Sequence, residues 1–434
     1  MNMKCFDLYT DLEIFKCIPA LDKEGICVSN IDHYGDDNYV AALSRVSCDD
    51  YQEYLRVLES DGFLKYADNG ANGINGDVFS ANYTKDGLAV TVSYLARTQE
   101  MYVSAKEGLK FSSHLNDCDD LRADMDPEAK TTLTMHQVPE YGNCYVIRLK
   151  NGHYIVNDGG FPDNIDPLLD YMEQEAGGKP VVEGWFVSHE HWDHAGVLDK
   201  LASDEALSNR ISINGIYVSQ VRQTVQKRTC WIREVGVCKQ SAAKLKTAAG
   251  ETTPIYRVHA GERYYFCDIY VDVLYTQEQF RLDRYVNNLN TSSTWLMYHI
   301  EGQTFLLCGD TELSNMRDNA AIYAPEFWNV DIMNHHHHAL NLYTDDLGYF
   351  KTKTLLYSTW GTYSIYWRPK SLMEQNLTIQ KEHCQEFMSY MDGGKRLTFP
   401  YEMGTAETLT PWYQELSEMC TTRHAEWMKE LGLQ

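Results

Sequence analysis

The chain has no C-x-x-C pair, no basic excess, no uncharged run of bilayer length, no internal repeat and no low-complexity tract. Each absence removes a class of function. Lysine and arginine number 38 against 62 acidic residues, a formal charge of −24. Proteins that bind nucleic acid in bulk, or anionic membranes, neutralise phosphates with basic side chains, so neither partner is expected. A small phosphorylated substrate stays compatible, because bound cations reverse the local field. The twelve cysteines are scattered, several inside apolar runs such as Cys144 in NCYVIRL and Cys308 in FLLCGD. That usage fits reduced, buried thiols, and with no apolar signal core in MNMKCFDLYTD the expected location is cytoplasmic. A phosphate loop is also missing: AAGETTPIYRVHAG lacks the Gly-x-x-x-x-Gly-Lys spacing.

The clearest compositional break is NDCDDLRADMDPEAK, residues 116–130, acidic and poor in large apolar side chains. Before it, residues 1–115 read as a small α+β accessory domain. DNYVAALSRV has strand character, and SCDDYQEYLRVLESDGF reads as a helix with Ser47 as N-cap. DVFSANYTKDG, LAVTVSYLART and EMYVSAKEG alternate as an antiparallel meander. After the break, CYVIRLKNGHYIVNDGG predicts a hairpin turning at Asn151-Gly152. Strands and helices then alternate to a final helix in WYQELSEMCTTRHAEWMKELGLQ, so residues 131–434 read as one large α/β domain. The basic segment TVQKRTCWIREV, 224–235, reads as a helix with a solvated face.

The chemistry concentrates in VSHEHWDHAG, where His189, His191, Asp193 and His194 follow the apolar strand VVEGWFVS. Side chains spaced i, i+2 at a strand end point to the same side, and imidazole and carboxylate both bind zinc at about 2.0–2.2 Å. The turn that follows can hold Asp193 and His194 around a second ion. Two distant apolar strands end in comparable residues: QTFLLCGDTE in Asp310, and VDIMNHHHHALN in His335 to His338. An ordinary solvated loop explains one or two histidines, not four.

The pattern His189-x-His191-x-Asp193-His194, with Asp158 in IVNDGG before it and Asp310 and the histidine run after it, resembles the metallo-β-lactamase superfamily of metallohydrolases. The resemblance spans roughly residues 131–434. It implies an α/β fold, an αββα sandwich of two mixed sheets flanked by helices, beside the small N-terminal α+β domain. Within that superfamily the order LLCGD, DIMNHHHHAL, YSTWGTYSIYWRP is similar to the competence-type DNA-uptake proteins and related phosphodiesterases. On that register His337 and His338 match the family's pair, and Ser358, Tyr366 and Pro369 match the later segment. Ala339-Leu340 replaces the family's Gly-Ser, and Arg368 stands where a later histidine would be.

The resemblance implies two divalent ions, zinc first with manganese or iron as alternatives. His189 and His191 would hold one ion, with His259 in YRVHAGERYYF as a further candidate ligand. Asp193 and His194 would hold the other, with His337 or His338, and Asp310 would bridge. Asp158 would orient a ligand, and Asp193 would also act on the attacking water's proton. Tyr366 and Arg368 would meet a negative substrate oxygen. A hydroxide activated between two such ions attacks a phosphoester or phosphodiester of a small substrate, the first expectation here. A carboxylic ester, lactone or thioester is the alternative for the same site. A mononuclear iron oxygenase, which would be expected to drop ligands of the second ion, and a non-catalytic binding protein with a structural metal are further rivals.

Overall fold

The computed structural model describes residues 13–21, 23–34, 38–108, 110–138, 141–219, 236–276, 289–311, 313–339, 349–358 and 384–430. The basic segment 224–235, Tyr366, Arg368 and Pro369 lie outside them. Three sheets organise the rest. The first is antiparallel throughout: β1 (Cys27–Tyr34), β2 (Asn38–Ser44), β3 (Leu64–Asp68), β4 (Val78–Lys85), β5 (Leu88–Leu95) and β6 (Glu100–Glu107), in the order β1-β2-β6-β5-β4-β3. The expected meander is β4 to β6. The helix Cys48–Ser60 begins at Ser47, whose hydroxyl accepts from Asp50 N–H at 3.2 Å while the Asp50 carboxylate accepts from Ser47 N–H at 2.8 Å. This reciprocal cap satisfies two amides that a helix start leaves open. Tyr51, Tyr54, Leu55 and Leu58 of that helix are buried with Phe79, Tyr83 and Val92 of the sheet.

The second sheet takes β7 (Thr132–Met135), β8 (Cys144–Arg148), β9 (Tyr154–Asp158), β10 (Val181–Val187), β11 (Ser212–Ile213), β12 (Ile216–Val218) and β13 (Ile255–Arg257). The third takes β14 (Arg263–Phe266), β15 (Ile269–Tyr275), β16 (Trp295–Ile300), β17 (Gln303–Leu307), β18 (Asn329–Asn334), β19 (Lys351–Tyr357) and β20 (Glu386–Ser389) in sequence order. The chain then returns to the second sheet, where β21 (Lys395–Thr398) pairs with β7 and with β22 (Glu407–Thr408).

Period-2 alternation sends one set of side chains between the second and third sheets. Leu133, Tyr145, Ile147 and Phe186 meet Val271, Val273, Leu296, Tyr298 and Phe305 there. The opposite face of the second sheet, with Val156, Trp185 and Val187, is covered by helices Ile165–Ala176 and Trp192–Ser203 through Leu168, Met172, Val197 and Leu201. This is the expected sandwich with helices outside, with one addition. The outer face of the third sheet (Trp295, Met297, Leu306) is covered by Met316 and Ala320 of helix Leu313–Ala320 and also by Val40, Val78, Leu95 and Tyr102 of the first sheet.

A second, polar contact locks the first sheet in place. Asn69 Nδ2 donates to Gly261 O at 2.8 Å, Ser93 Oγ to Ala260 O at 2.7 Å and Asn82 Nδ2 to Glu262 Oε1 at 2.7 Å. Gly261 has φ +91°, and a Cβ there would stand 2.8 Å from Ser80 Cβ and 3.0 Å from Phe79 O, so only glycine fits the approach. The segment just before the acidic stretch is itself packed. His114 Nδ1 meets Tyr265 O at 2.8 Å, and Ser112 Oγ and Tyr217 OH share a hydrogen bond at 2.8 Å.

Across β14, β15 and β16, buried Asp272 accepts from Arg263 Nε at 2.6 Å and lies 3.1 Å from His299 Nε2. Burial pushes its carboxyl up, but these partners outweigh it and the net shift is downward from 3.8. Stability from this carboxylate is therefore complete above its unfolded pKa and lost as pH falls through the depressed folded value. Asp272→Ala should cost about 3 kcal/mol at neutral pH, because it leaves Arg263 half-enclosed without its anion. Denaturant titrations from pH 7 to about 2 check this: the gap between variant and wild type should hold down to about pH 4 and narrow below it. A gap that is constant with pH would contradict it.

Strand direction is what assembles the site. β9, β10, β12 and β13 run parallel, as do β17 to β20. Asp158 ends β9, Ser188 and His189 follow β10, Asp310 follows β17, the histidine run follows β18 and Ser358 follows β19. In α/β sheets the carboxyl ends of parallel strands open onto the ligand crevice. Here two sheets present those ends to each other.

Candidate metal centre

Four side chains from three strand ends converge. His194 Nε2 lies 3.2 Å from Asp310 Oδ2, 3.4 Å from Asp193 Oδ2 and 3.2 Å from His338 Nε2. His338 Nε2 in turn lies 3.1 Å from each of the two carboxylate oxygens. Ligands at about 2.0–2.1 Å in a tetrahedron stand about 3.3 Å from one another, so these five separations are those of a zinc-sized donor set. All four residues are buried. Asp310 Oδ1 is buried with no hydrogen-bond partner among the described residues, as is His338 Nδ1. A buried carboxylate oxygen left unpaired is costly unless a cation faces it. The residues therefore fit a divalent metal.

A second group borders the first across Asp310. His189 Nε2 and His191 Nδ1 are 2.9 Å apart, and His189 Nε2 and His337 Nε2 lie 3.9 and 4.0 Å from Asp310 Oδ2. His337 and His338 are consecutive non-glycine residues at φ +48°, a left-handed conformation that costs of order 1–3 kcal/mol each. That backbone splays their rings, whose centroids are 6.2 Å apart, while both Nε2 atoms stay within 4.0 Å of Asp310 Oδ2. His337 N–H donates to Gly309 O at 3.0 Å, which ties the histidine run to the Gly-Asp turn. Gly309 has φ +53°, and a Cβ there would meet Ser293 Oγ at 2.7 Å and Ser188 Cβ at 3.0 Å. Gly309 thus lets its backbone approach Ser188, at the start of the HEHWDH run, closely.

Charge is distributed unevenly. Burial disfavours charge on His194, but Asp310, Asp193 and Asp158 outweigh it and hold its pKa well above 6.5. His338 behaves likewise and rises to about 9 against burial, through Asp310 and Asp193. Asp310 is the complement: burial opposes its ionisation, and His194 with His338 hold it well below the carboxylate range. Burial and neighbouring imidazoles lower His189, and burial outweighs Asp310 to lower His337 to about 4.

Asp158 supports the tetrad from behind. Its carboxylate accepts from Ser188 N–H at 2.8 Å and Ser188 Oγ at 3.0 Å, and lies 2.8 Å from His194 Nδ1. This contact fixes which imidazole nitrogen faces Asp310. Asp158→Asn should lower divalent-metal affinity or kcat/KM by about 10–100-fold with the fold intact. Metal titration together with a far-ultraviolet CD spectrum checks this, and unchanged affinity and turnover would contradict it.

The structure thus brings together His189, His191, Asp193, His194, Asp310, His337 and His338, with Asp158 behind them. His259 takes a different place: its N–H donates to Glu262 Oε2 at 2.8 Å, and the turn it opens is the one clasped by the first sheet. In that turn Ala260, Gly261 and Glu262 are committed to Ser93, Asn69 and Asn82. Three polar residues at the centre were missed. Ser293 Oγ accepts from Asp310 N–H at 2.9 Å and lies 3.4 Å from His189 Nδ1; Asn290 Nδ2 lies 3.1 Å from His337 Nε2. Asn143 accepts from Ser358 Oγ at 2.7 Å beneath the site, and its N–H donates to Asp193 O at 3.3 Å.

Residues 138–211, from the loop before β8 through the HEHWDH run, match the metallo-beta-lactamase superfamily. The matched segment is less than half of the chain. It includes Asp158, His189, His191, Asp193 and His194 and ends before Asp310 and the histidine run. No curated protein sequence matches the chain. Among solved structures it is similar to a metal-dependent hydrolase of the beta-lactamase superfamily, at 10% identity over 60% of this chain and 95% of that one, TM-score 0.34. It is also similar to a Cronobacter sakazakii metallo-beta-lactamase with a HARLDQ motif, at 14% identity over 46% and 76%, TM-score 0.30. A third is the subclass B3 metallo-beta-lactamase MEM-A1 from a soil metagenome library, at 14% identity over 51% and 83%, TM-score 0.30. Among the described residues no helix is long and apolar enough to cross a membrane.

Proposed function

We propose that this chain is a metal-dependent hydrolase that cleaves a phosphoester or phosphodiester of a small substrate with two divalent ions. The observation behind this reading is the pair of ligand groups that share Asp310: Asp193, His194 and His338 on one side, His189, His191 and His337 on the other. Ions held there, zinc first, would polarise the scissile bond and make water acidic enough to attack at neutral pH. Asp158 keeps His194 in register. Among Asp158, Asp193 and Asp310, Asp193 has the most exposed side chain, 12% against 4% and 3%, so entering water reaches it first and it is placed to take that water's proton.

Side-chain nucleophiles are poor candidates at this centre. Cys308, next to Gly309, is fully buried with its thiol pushed well above 9, and Ser188 and Ser293 are engaged with Asp158, His189 and Asp310. The net acidity of the chain favours a small substrate over long nucleic acid. The phosphodiester assignment leans on the similarity of LLCGD and the histidine run to the competence-type branch. Turnover of bis-p-nitrophenyl phosphate beside p-nitrophenyl acetate and a thioester tests it. Metal-dependent cleavage of the phosphodiester is expected; cleavage of the carbonyl substrates alone would move the assignment to ester, lactone or thioester hydrolysis.

A further inference from the structure

The two ligand groups are unequally prepared, and the difference assigns the two adjacent histidines to different ions. The tetrad Asp193, His194, Asp310 and His338 is buried, and five of its donor separations already fall at 3.1–3.4 Å. It contains two carboxylates, so one dication is neutralised where it sits. The other group has only the shared carboxylate. Its members are engaged with each other and with Asn290: His189 with His191 at 2.9 Å, His337 with Asn290 Nδ2 at 3.1 Å. His189 and His337 stand 3.9 and 4.0 Å from Asp310, farther than a tetrahedral edge. Of the two adjacent histidines His337 is the less enclosed, its side chain being 15% exposed against 1% for His338.

We propose that divalent ions load in order, first into the Asp193–His194–Asp310–His338 tetrad and then, more weakly, beside His189 and His191, with His337 as the additional imidazole of the second-loading ion. This rests on the metallohydrolase reading above and goes beyond it by giving each ion its ligands and its rank. Three effects act in the same direction. The tetrad's donors already stand near tetrahedral separations, whereas His189 and His337 must move closer to Asp310 from 3.9 and 4.0 Å. The tetrad offers two negative charges against one shared charge. An ion already in the tetrad repels the next, because Asp310 serves both. Left-handed backbone at both His337 and His338 is what lets neighbouring residues set their rings 6.2 Å apart around one carboxylate.

The test is a titration of chelator-treated full-length protein with Co²⁺, read by visible absorbance and calorimetry, repeated with Zn²⁺. Wild type should bind in two steps, the first at least about tenfold tighter. His337→Ala should keep the tight step and weaken the second by more than about tenfold, the least expected for loss of a ligand's supporting partner. His338→Ala should remove the tight step. His337→Gln and thermal unfolding of each ion-stripped variant separate ligand loss from misfolding. A His337→Ala protein that binds two ions as wild type does, or loses the tight step, overturns the assignment. Wild type binding both ions with equal affinity overturns the order. Wild type binding no divalent ion would instead sink the metallohydrolase reading itself.

Discussion

Asp310→Asn should leave a folded protein with hydrolysis lost and metal content reduced by at least half. The residue is the common member of both ligand groups: Oδ2 lies 3.1 Å from His338, 3.2 Å from His194, 3.9 Å from His189 and 4.0 Å from His337. Asparagine keeps the volume and one carbonyl oxygen but removes the charge that draws two dications together. Loss of a partner that merely supports a ligand lowers affinity or activity by about 10–100-fold, and loss of a ligand shared by two ions should exceed that range. Turnover and metal content of the purified variant check it. A variant with both ions and more than a tenth of wild-type turnover would contradict the role given to Asp310.

Gly196→Ala should cost about 100-fold in kcat/KM although the residue touches neither substrate nor ion. Gly196 lies in helix Trp192–Ser203, two residues after His194. An added Cβ would come within 2.6 Å of Pro162 Cδ, 2.9 Å of Pro162 N and 3.1 Å of Gly160 O. Two of those are backbone atoms, anchored by Val197 N–H donating to Gly160 O at 3.2 Å, so the helix itself must give way. Alanine improves helix propensity by about 1 kcal/mol, but overpacking costs about 1–3 kcal/mol, so the steric term wins. The shift carries Asp193 and His194 with it, and a displacement of about 1 Å in a catalytic group can cost about 100-fold. Kinetics and thermal unfolding decide: an active variant with a raised melting temperature would show that the helix does not need the glycine.

How much of this was legible depended on how local the signal was. The strand ends GWFVSHEHWDH, LLCGD and VDIMNHHHH announce the ligands because apolar strands fix where each side chain emerges, and parallel pairing then brings the ends to one edge. The capped helix at Ser47 and the hairpin at Asn151-Gly152 were legible for the same local reason. The division of labour within His335–His338 was not, since alternation ends with β18 and the backbone turns left-handed at His337 and His338. What occupies the turn at His259 was not legible either, because it comes from far away: Asn69 and Ser93 are 192 and 167 residues from their partners in it. Asn290 and Ser293 sit in the uncharged run NNLNTSSTW, where nothing in residue type separates a loop from a ligand's support. The return of β21 to pair with β7, across some 260 residues, likewise leaves no local mark.

The most direct measurement is the metal content of untagged wild-type protein, purified without chelator, beside that of Asp310→Asn. The account predicts about two divalent ions per wild-type chain, zinc or manganese, and one or fewer in the variant. A single iron per chain, or a single zinc that Asp310→Asn leaves in place, would contradict the shared two-ion centre.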